Sequence, residues 1–342
     1  MTDPRKLASP MGIGGAFIRN RVFLAPMSGV TDDAFRRRAY GHGAGLVVSE
    51  MIASGELAKG RLDTGRRVRH SGLPVHMVQL AGREARHMAE AAIIAEAEGA
   101  DIIDINMGCP AKKVTGGYCG SALMRDLDHA LTLIDAVVGA VKAPVTVKMR
   151  LGWDESALNA PTLARRAEEA GVKMVTVHGR TRCQFYQGKA DWRAIARVKA
   201  AVSIPVVANG DVGSLADAAV VLKQSGADAV MVGRASYGAP WIVGQIAHAA
   251  GADDAAGNAP ASGEAMAEYV IAHYEDMLTL YGVESGLRHA RKHLGWYLDR
   301  HAPGIGALRG AIMTSLDPTE VIRGLRTAFV AATEFDPVRT AA

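Results

Sequence analysis

Ile102-Ile103-Asp104-Ile105-Asn106-Met107-Gly108-Cys109-Pro110 reads as a short buried strand that ends on an amide, a glycine, a thiol and a proline. Pro110 restricts Cys109 to extended or turn backbone, so the thiol is held at the strand's end instead of entering a helix. A thiol there serves as packing, as a nucleophile or as a proton donor, and the residues around it must decide. Seven further apolar runs share the pattern of a short strand closed by a polar group. Arg21–Ala25 ends at Pro26-Met27-Ser28, Gly45–Ser49 at Glu50, and Pro74–Val78 at Gln79. Val145–Val147 ends at Lys148-Met149-Arg150, Met174–Val177 at His178, Pro205–Ala208 at Asn209-Gly210-Asp211, and Ala229–Val232 at Gly233-Arg234. Helical segments separate them, such as the Ala/Glu-rich Arg83–Glu98 and Leu127–Val141. Continuous Val/Ile runs alternating with helices indicate parallel strands buried on both faces. Eight such units over roughly 230 residues predict an α/β fold, a (β/α)8 TIM barrel. A doubly wound open sheet is the alternative, and the unit count disfavours it. Gly12-Ile13-Gly14-Gly15 and Gly41-His42-Gly43-Ala44-Gly45 neither follow a strand nor open a helix, so neither is a dinucleotide fingerprint.

The chain, 342 residues with 49% hydrophobic and 22% charged side chains, has the composition of a soluble globular protein. No run approaches the ~18 apolar residues of a membrane span, and Met1–Arg21 lacks a signal pattern, so a cytoplasmic location is expected. Cys109, Cys119 and Cys183 are odd in number and show no CxxC or CxxH spacing, which argues against a disulfide framework and against a metal site. Gly251–Gly263, rich in Ala, Gly, Asp and Pro, reads as a linker between a catalytic domain over 1–250 and an all-α bundle over 264–342. Four helices are expected in the latter: Glu264–Tyr281, Leu287–Arg300, Ile305–Ser315 and Pro318–Thr333. Residues 1–261 carry 31 Lys/Arg against 25 Asp/Glu, a mild excess compatible with a polyanionic partner.

In a (β/α)8 barrel the catalytic face lies at the C-terminal ends of the strands. Glu50, Gln79, Asn106 with Cys109, Lys148, His178, Asn209 with Asp211, and Arg234 therefore converge on one rim. Each alone is ordinary, whereas the convergence predicts an active site. Gly210 and Gly233 let backbone N–H groups approach an anion at the seventh and eighth strand ends, and Arg234 can bind it bidentately, which suits a phosphate. Lys148 reads as a Schiff-base lysine, an ion-pair partner, or a cation beside an electron-rich ring. The first is the weaker reading because no other rim lysine is evident to lower its pKa. One cation, one amide, one imidazole and a phosphate site suit flavin mononucleotide (FMN). In the helical domain, Arg288–His301 interleaves Arg288, His289, Arg291, Lys292, His293 and Arg300 with Trp296 and Tyr297. That pattern suits RNA contacts, with the two aromatics equally readable as core. Lys112-Lys113, three residues after Cys109, is a basic pair beside the site.

These residues resemble the tRNA-dihydrouridine synthases over nearly the whole chain. The likeness is carried by Leu24–Asp32, Val78–Leu80, Asp104–Val114, Val147–Arg150, Val177–Arg182, Ala208–Asp211 and Met231–Arg234, with Ala290–Leu298 similar to the bacterial B branch. The resemblance implies an FMN-holding barrel, NADPH as reductant, and a helical domain that grips tRNA through residues such as Arg291 and Lys292, in a monomer without metal. It implies that Pro26, Met27 and Ser28 lie along the isoalloxazine ring, that Gln79 bonds it and that Lys148 stabilises its reduced form. His178, Asn209, Gly210, Asp211, Gly233 and Arg234 would complete the cofactor site, while Asn106 and Arg180 would meet the uracil. Cys109 would be the general acid, giving C5 a proton after hydride reaches C6 of a D-loop uridine, position 17 in the B branch. A thiol with an ordinary pKa of ~8.5 is mostly protonated at neutral pH and matched to that task. Cys119 is a departure, a second thiol that could pair with Cys109 under oxidation. Two rivals stand beside this assignment: an FMN-dependent small-molecule pyrimidine reductase and a non-catalytic RNA-binding protein.

Overall fold

Short apolar runs separated by amphipathic helices fold as the alternation requires. The computed structural model describes residues 3–253 and 257–334. After a short 3-10 turn (Pro4–Ala8) come the strands β1 (Met11–Ile13), β2 (Ala16–Ile18) and β3 (Val22–Leu24), then helix α1 (Asp33–Gly41). There follow β4 (Leu46–Val47), β5 (Ile52–Ala53), α2 (Ser54–Ala58), α3 (Leu62–Val68), β6 (Met77–Ala81), α4 (Ala85–Ala97), β7 (Ile102–Met107), α5 (Lys112–Thr115) and α6 (Leu127–Ala140). The alternation continues through β8 (Val145–Arg150), α7 (Ala160–Glu169), β9 (Met174–His178), α8 (Trp192–Ala201), β10 (Val206–Asn209), α9 (Leu215–Ser225), β11 (Ala229–Val232) and α10 (Ile242–Ala249).

The main sheet runs β4-β3-β11-β10-β9-β8-β7-β6-β5, and every adjacent pair is parallel. β4 and β5 are two pieces of one barrel strand. Between them Val48 bridges Met77 in parallel, and the Ser49 amide donates to the Met77 carbonyl at 3.0 Å. The ring thereby closes as an eight-stranded (β/α)8 barrel. The expected strand Gly45–Ser49 breaks because its end is committed to side-chain chemistry. Ser49 Oγ donates to the Glu50 carbonyl at 3.0 Å and accepts from the Gln79 amide at 2.9 Å.

The barrel has an apolar end and a polar end. At the strand starts, Phe23, Leu46, Met77, Ile102, Met174, Val207 and Ala229 pack with Met11, Ile13 and Ile18 of the antiparallel hairpin β1–β2. The glycines Gly12-Ile13-Gly14-Gly15 thus belong to a plug at the N-terminal end, with Gly14 at φ +59° in its turn. Capping one end with hydrophobic side chains leaves the opposite end for polar groups. Helices cover the outside through stripes at i, i+3/i+4 and i+7, such as Leu133, Ile134 and Val137 of α6 and Leu163, Ala164 and Ala167 of α7. Asp32 caps α1 by accepting from the Phe35 amide at 3.0 Å.

The chain divides into two compact units, Met1–Ala235 with Ile242–Gly257, and Ser236–Trp241 with Asn258–Ala342. The second contains α11 (Gly263–Tyr281), α12 (Val283–His301), α13 (Gly306–Thr314) and α14 (Pro318–Glu334). Residues 254–256 of the expected linker lie outside the described residues. Ser236–Trp241 joins the helical unit through aromatic packing: Tyr237 stacks on Trp296 with ring centroids 4.0 Å apart, and Trp241 meets Tyr269 edge-on at 5.5 Å. Tyr297 is buried and hydrogen-bonds His273 Nδ1 at 3.1 Å. The aromatics of Arg288–His301 therefore hold this unit together; Arg288, His289, Asp299 and Arg300 are exposed, Arg291 and Lys292 half-buried and His293 buried, with Arg288 paired to Glu284 at 3.1 Å. Among the described residues no helix is long and apolar enough to cross a membrane.

Candidate active site

His178 and Asn209 end β9 and β10, Asn106 and Lys148 lie one and two residues short of the ends of β7 and β8, and Gln79 stands at the middle of β6. Adjacent strands pair Asn106 with Lys148 and Asn209 with His178 in register, while Lys148 also pairs with Thr176, His178 with Arg150, and Gln79 with Asp104.

Asp104, the register partner of Gln79, is a buried carboxylate to which the sequence reading assigned no role. It accepts hydrogen bonds from Gln79 Nε2 and Thr146 Oγ1, each at 2.6 Å. Because a carboxylate only accepts, it determines which way the Gln79 amide points. Gln79 Oε1 must then face Asn106, whose Nδ2 donates to it at 2.7 Å. Asn106 Oδ1 is left to accept from the backbone amides of Gly108 at 3.2 Å and Cys109 at 3.0 Å. A relay from Asp104 through two amides therefore positions the segment that carries the thiol. Burial raises the Asp104 carboxyl to about 6, against the Gln79 and Thr146 hydrogen bonds and the Lys148 charge, which lower it. The folded protein binds this proton more tightly than the unfolded chain does. The contribution to stability is therefore complete below pH ~4 and is lost as pH rises towards 6, a change on the order of 3 kcal/mol. Asp104→Asn is expected to flatten the pH dependence of the urea midpoint between pH 4 and 6, measured beside the native chain.

Lys148 Nζ donates to Asn209 Oδ1 at 3.0 Å, and Asn209 Nδ2 donates to the Met231 carbonyl at 2.9 Å. Burial and the neighbouring Arg150 guanidinium lower Lys148 to about 8, with Asp104 and Cys109 opposing. Arg150 is itself buried and donates to the carbonyls of Gly108 at 2.9 Å, Thr181 at 2.8 Å and Phe185 at 2.7 Å. It ties the thiol loop to the loop after β9. His178 is buried, and its Nδ1 has no hydrogen-bond partner. Burial first, and then repulsion from Arg150, Lys148, Arg180 and Arg234, hold its pKa well below the usual imidazole range, so it is neutral at physiological pH.

Arg180 departs from the expected uracil contact. Its guanidinium is buried and committed to Asp211 at 3.0 and 2.6 Å and to the carbonyls of Gln187 at 3.0 Å and Gly188 at 2.7 Å. Asp211 in turn reaches Arg234 at 3.3 Å and accepts from the Ala190 amide at 2.8 Å. A carboxylate repels phosphate, so Asp211 serves by aiming Arg234. The Tyr186 ring lies 4.8 Å from that guanidinium and 5.4 Å from Arg150. Gly210 has φ +115°, and a Cβ there would meet Ala190 Cβ at 2.9 Å, which excludes any side chain from this turn.

Cys109 is half-buried and close to Gly120, whose φ is +59° and whose missing Cβ would stand 3.2 Å from Cys109 Cβ. The Cys109 carbonyl accepts from the Ser121 amide at 3.1 Å and from Ser121 Oγ at 2.9 Å. Cys119 Sγ faces the Gly117 carbonyl at 3.3 Å, its pKa pushed up by burial, and all three cysteines are free. Pro26 and Met27 are half-buried, Ser28 is exposed, and the Met27 amide donates to Thr31 Oγ1 at 2.8 Å. A Cβ on Gly233 would lie in ordinary contact with Met27 Sδ at 3.9 Å and Ala25 Cβ at 4.0 Å. The unpartnered His178 Nδ1, the Lys148 ammonium, the Gln79 amide and the Arg234 guanidinium fit a flat polar ring carrying a phosphate. Arg291 and Lys292, on α12, belong to the other unit. Asp104, Thr146, Arg150 and Tyr186 were the residues missed. An aspartate inside an otherwise apolar strand, at position 104, was the signal available for the first of them.

A parallel (β/α)8 barrel with this rim is the architecture of a barrel oxidoreductase. Residues 23–334 match the family model of dihydrouridine synthase (Dus), and the chain belongs to that family. A probable tRNA-dihydrouridine synthase of Rhizobium leguminosarum bv. phaseoli is 58% identical over 305 residues, 89% of this chain and 93% of that protein. The tRNA-dihydrouridine synthase B of Xanthomonas axonopodis pv. citri is 48% identical over 292 residues, 85% of this chain and 87% of that protein. Among solved structures, morphinone reductase in complex with tetrahydroNAD gives a TM-score of 0.52 at 16% identity, covering 71% of this chain and 91% of that one. Histamine dehydrogenase from Rhizobium sp. 4-9 gives 0.56 at 13% identity, covering 96% and 65%. The structural likenesses speak to the fold.

Proposed function

We propose that this protein reduces the C5–C6 double bond of a D-loop uridine in tRNA, using FMN and NADPH, with Cys109 as the proton donor. The observation that carries the proposal is the relay from Asp104 through Gln79 to Asn106, which holds the Cys109 segment at a strand end in a chain of this family. When bound, FMN supplies the hydride for C6 of the uracil. Gln79 keeps one N–H and one lone pair for the ring, and the second Asn106 N–H, which meets only the weak acceptor Met51 Sδ at 3.8 Å, serves the base. Lys148 presents a positive charge beside the ring, while Pro26, Met27 and Ser28 border it. Arg234, aimed by Asp211, takes the phosphate at the turns made by Gly210 and Gly233, and neutral His178 offers an uncharged nitrogen. Cys109 Sγ delivers its proton to C5 as negative charge develops there.

A uridine within a folded tRNA must leave its stack to reach such a pocket. The helical unit, with Arg291 and Lys292 on α12, is assigned to holding the rest of the tRNA in the cytoplasm. Position 17 is the finer assignment, supported by the likeness of Ala290–Leu298 to the B branch. Mass spectrometry of tRNA from a strain lacking the gene tests both levels. Loss of dihydrouridine at position 17 is expected. Loss at another D-loop position would move the target, and unchanged content at every D-loop position would reject the function.

A further inference from the structure

Lys112, Lys113, Arg125, Trp153 and Arg182 have no part in the chemistry above. Trp153, on the loop after β8, has two guanidinium groups beside its indole. Arg125 lies 4.9 Å and Arg182 4.6 Å from the ring centroid, and Arg182 is also 4.8 Å from the Phe185 ring. Backbone hydrogen bonds hold the arrangement, from the Arg182 amide to the Gly152 carbonyl at 3.0 Å and from the Cys183 amide to the Trp153 carbonyl at 2.9 Å. Arg182 also donates to Thr115 Oγ1 of α5 at 3.4 Å, which ties Lys112 and Lys113 to the same surface. Among the described residues neither Arg125 nor Arg182 forms an ion pair, and Arg182 Nε is buried with no partner. Of the carboxylates adjoining them in sequence, Asp126 caps α6, Asp154 accepts from Ser156, and Glu155 is exposed. Like charges gathered on an aromatic ring without ion-pair partners repel one another, and an arriving anion relieves that repulsion. Flat guanidinium and indole groups add stacking surface that an acidic peptide does not use but an RNA loop does. All three loops leave the strand ends that carry Cys109, Lys148 and His178.

We propose that Arg125, Trp153, Arg182, Lys112 and Lys113 form an RNA-backbone platform on the barrel, which binds the nucleotides flanking the target uridine. This rests on the tRNA-reducing function proposed above. The test measures binding of unmodified tRNA against salt concentration for the native holoenzyme, Arg125→Gln, Arg125→Gln/Arg182→Gln, and Lys112→Gln/Lys113→Gln. Each lost phosphate contact outside a duplex lowers the slope of log K against log salt by ~0.7. The Arg125/Arg182 double variant should therefore lose about 1.4 of slope and bind tRNA at least ~10-fold more weakly at moderate salt. FMN content and the rate of FMN reduction by NADPH should be unchanged. The exposed Arg125→Gln, which leaves the loop hydrogen bonds intact, should lose about half of that slope. Native tRNA affinity and slope in all three variants would overturn the platform while leaving the main function standing. A raised NADPH KM with native tRNA binding would make it the dinucleotide's phosphate site instead. Failure of the native holoenzyme to bind tRNA would reject the main function itself.

Discussion

Cys109→Ala is expected to lower the rate of uracil reduction by about 10²–10⁴-fold while FMN content and the rate of FMN reduction by NADPH stay at native levels. The split follows from how the segment is held. The backbone of Cys109 is anchored through its amide to Asn106 and through its carbonyl to Ser121, and neither contact involves the thiol. Removing Sγ therefore takes away the proton without releasing the loop. Cys119→Ala is the matched control: Cys119 is half-buried, faces the Gly117 carbonyl and should be dispensable for the reaction. Rapid mixing of the reduced enzyme with unmodified tRNA, followed by flavin absorbance, reads the affected step directly. Loss of FMN from Cys109→Ala would reassign the residue to structure.

Lys148→Met should cost about 10²–10³-fold in the same step, the usual effect of deleting one well-placed group that stabilises developing charge. The pH profile makes this sharper. With the ammonium lowered to about 8 by burial and Arg150, the native enzyme should lose kcat/KM as pH rises through about 8, because Lys148 sheds its charge there. Stability moves the opposite way. The folded chain binds this proton less tightly than the unfolded chain does, so stability owed to Lys148 increases as pH rises from about 8 towards ~10.4. In Lys148→Met the stability effect should vanish, and the alkaline loss of activity should shrink to the part set by the Cys109 proton donor. An alkaline loss of activity that persists unchanged in the variant would assign it to another group.

The barrel was legible because parallel strands are buried on both faces and so appear as continuous Val/Ile runs. The four helices of the second unit were legible from their periodicity and stops. The hairpin β1–β2 escaped notice because it is two three-residue strands, too short to show alternation. The break in the second barrel strand escaped because Ser49 and Glu50 make their contacts with residues distant in sequence.

For the site, sequence alone marked which polar residues interrupt the apolar runs, although β6 and β8 continue through Gln79 and Lys148 to Ala81 and Arg150. It also determined that Cys109 is held outside a helix, because Pro110 restricts the residue before it. The tertiary structure decided what those residues do to one another. Arg180 reads as a loop arginine free to meet a substrate, yet folding turns it inward onto Asp211, 31 positions away. Asp104 reads as a polar interruption in a strand, yet it orients Gln79 and, through it, Asn106. Hydrogen-bond direction and burial depend on partners brought together from separate strands, and no local run of residues records them.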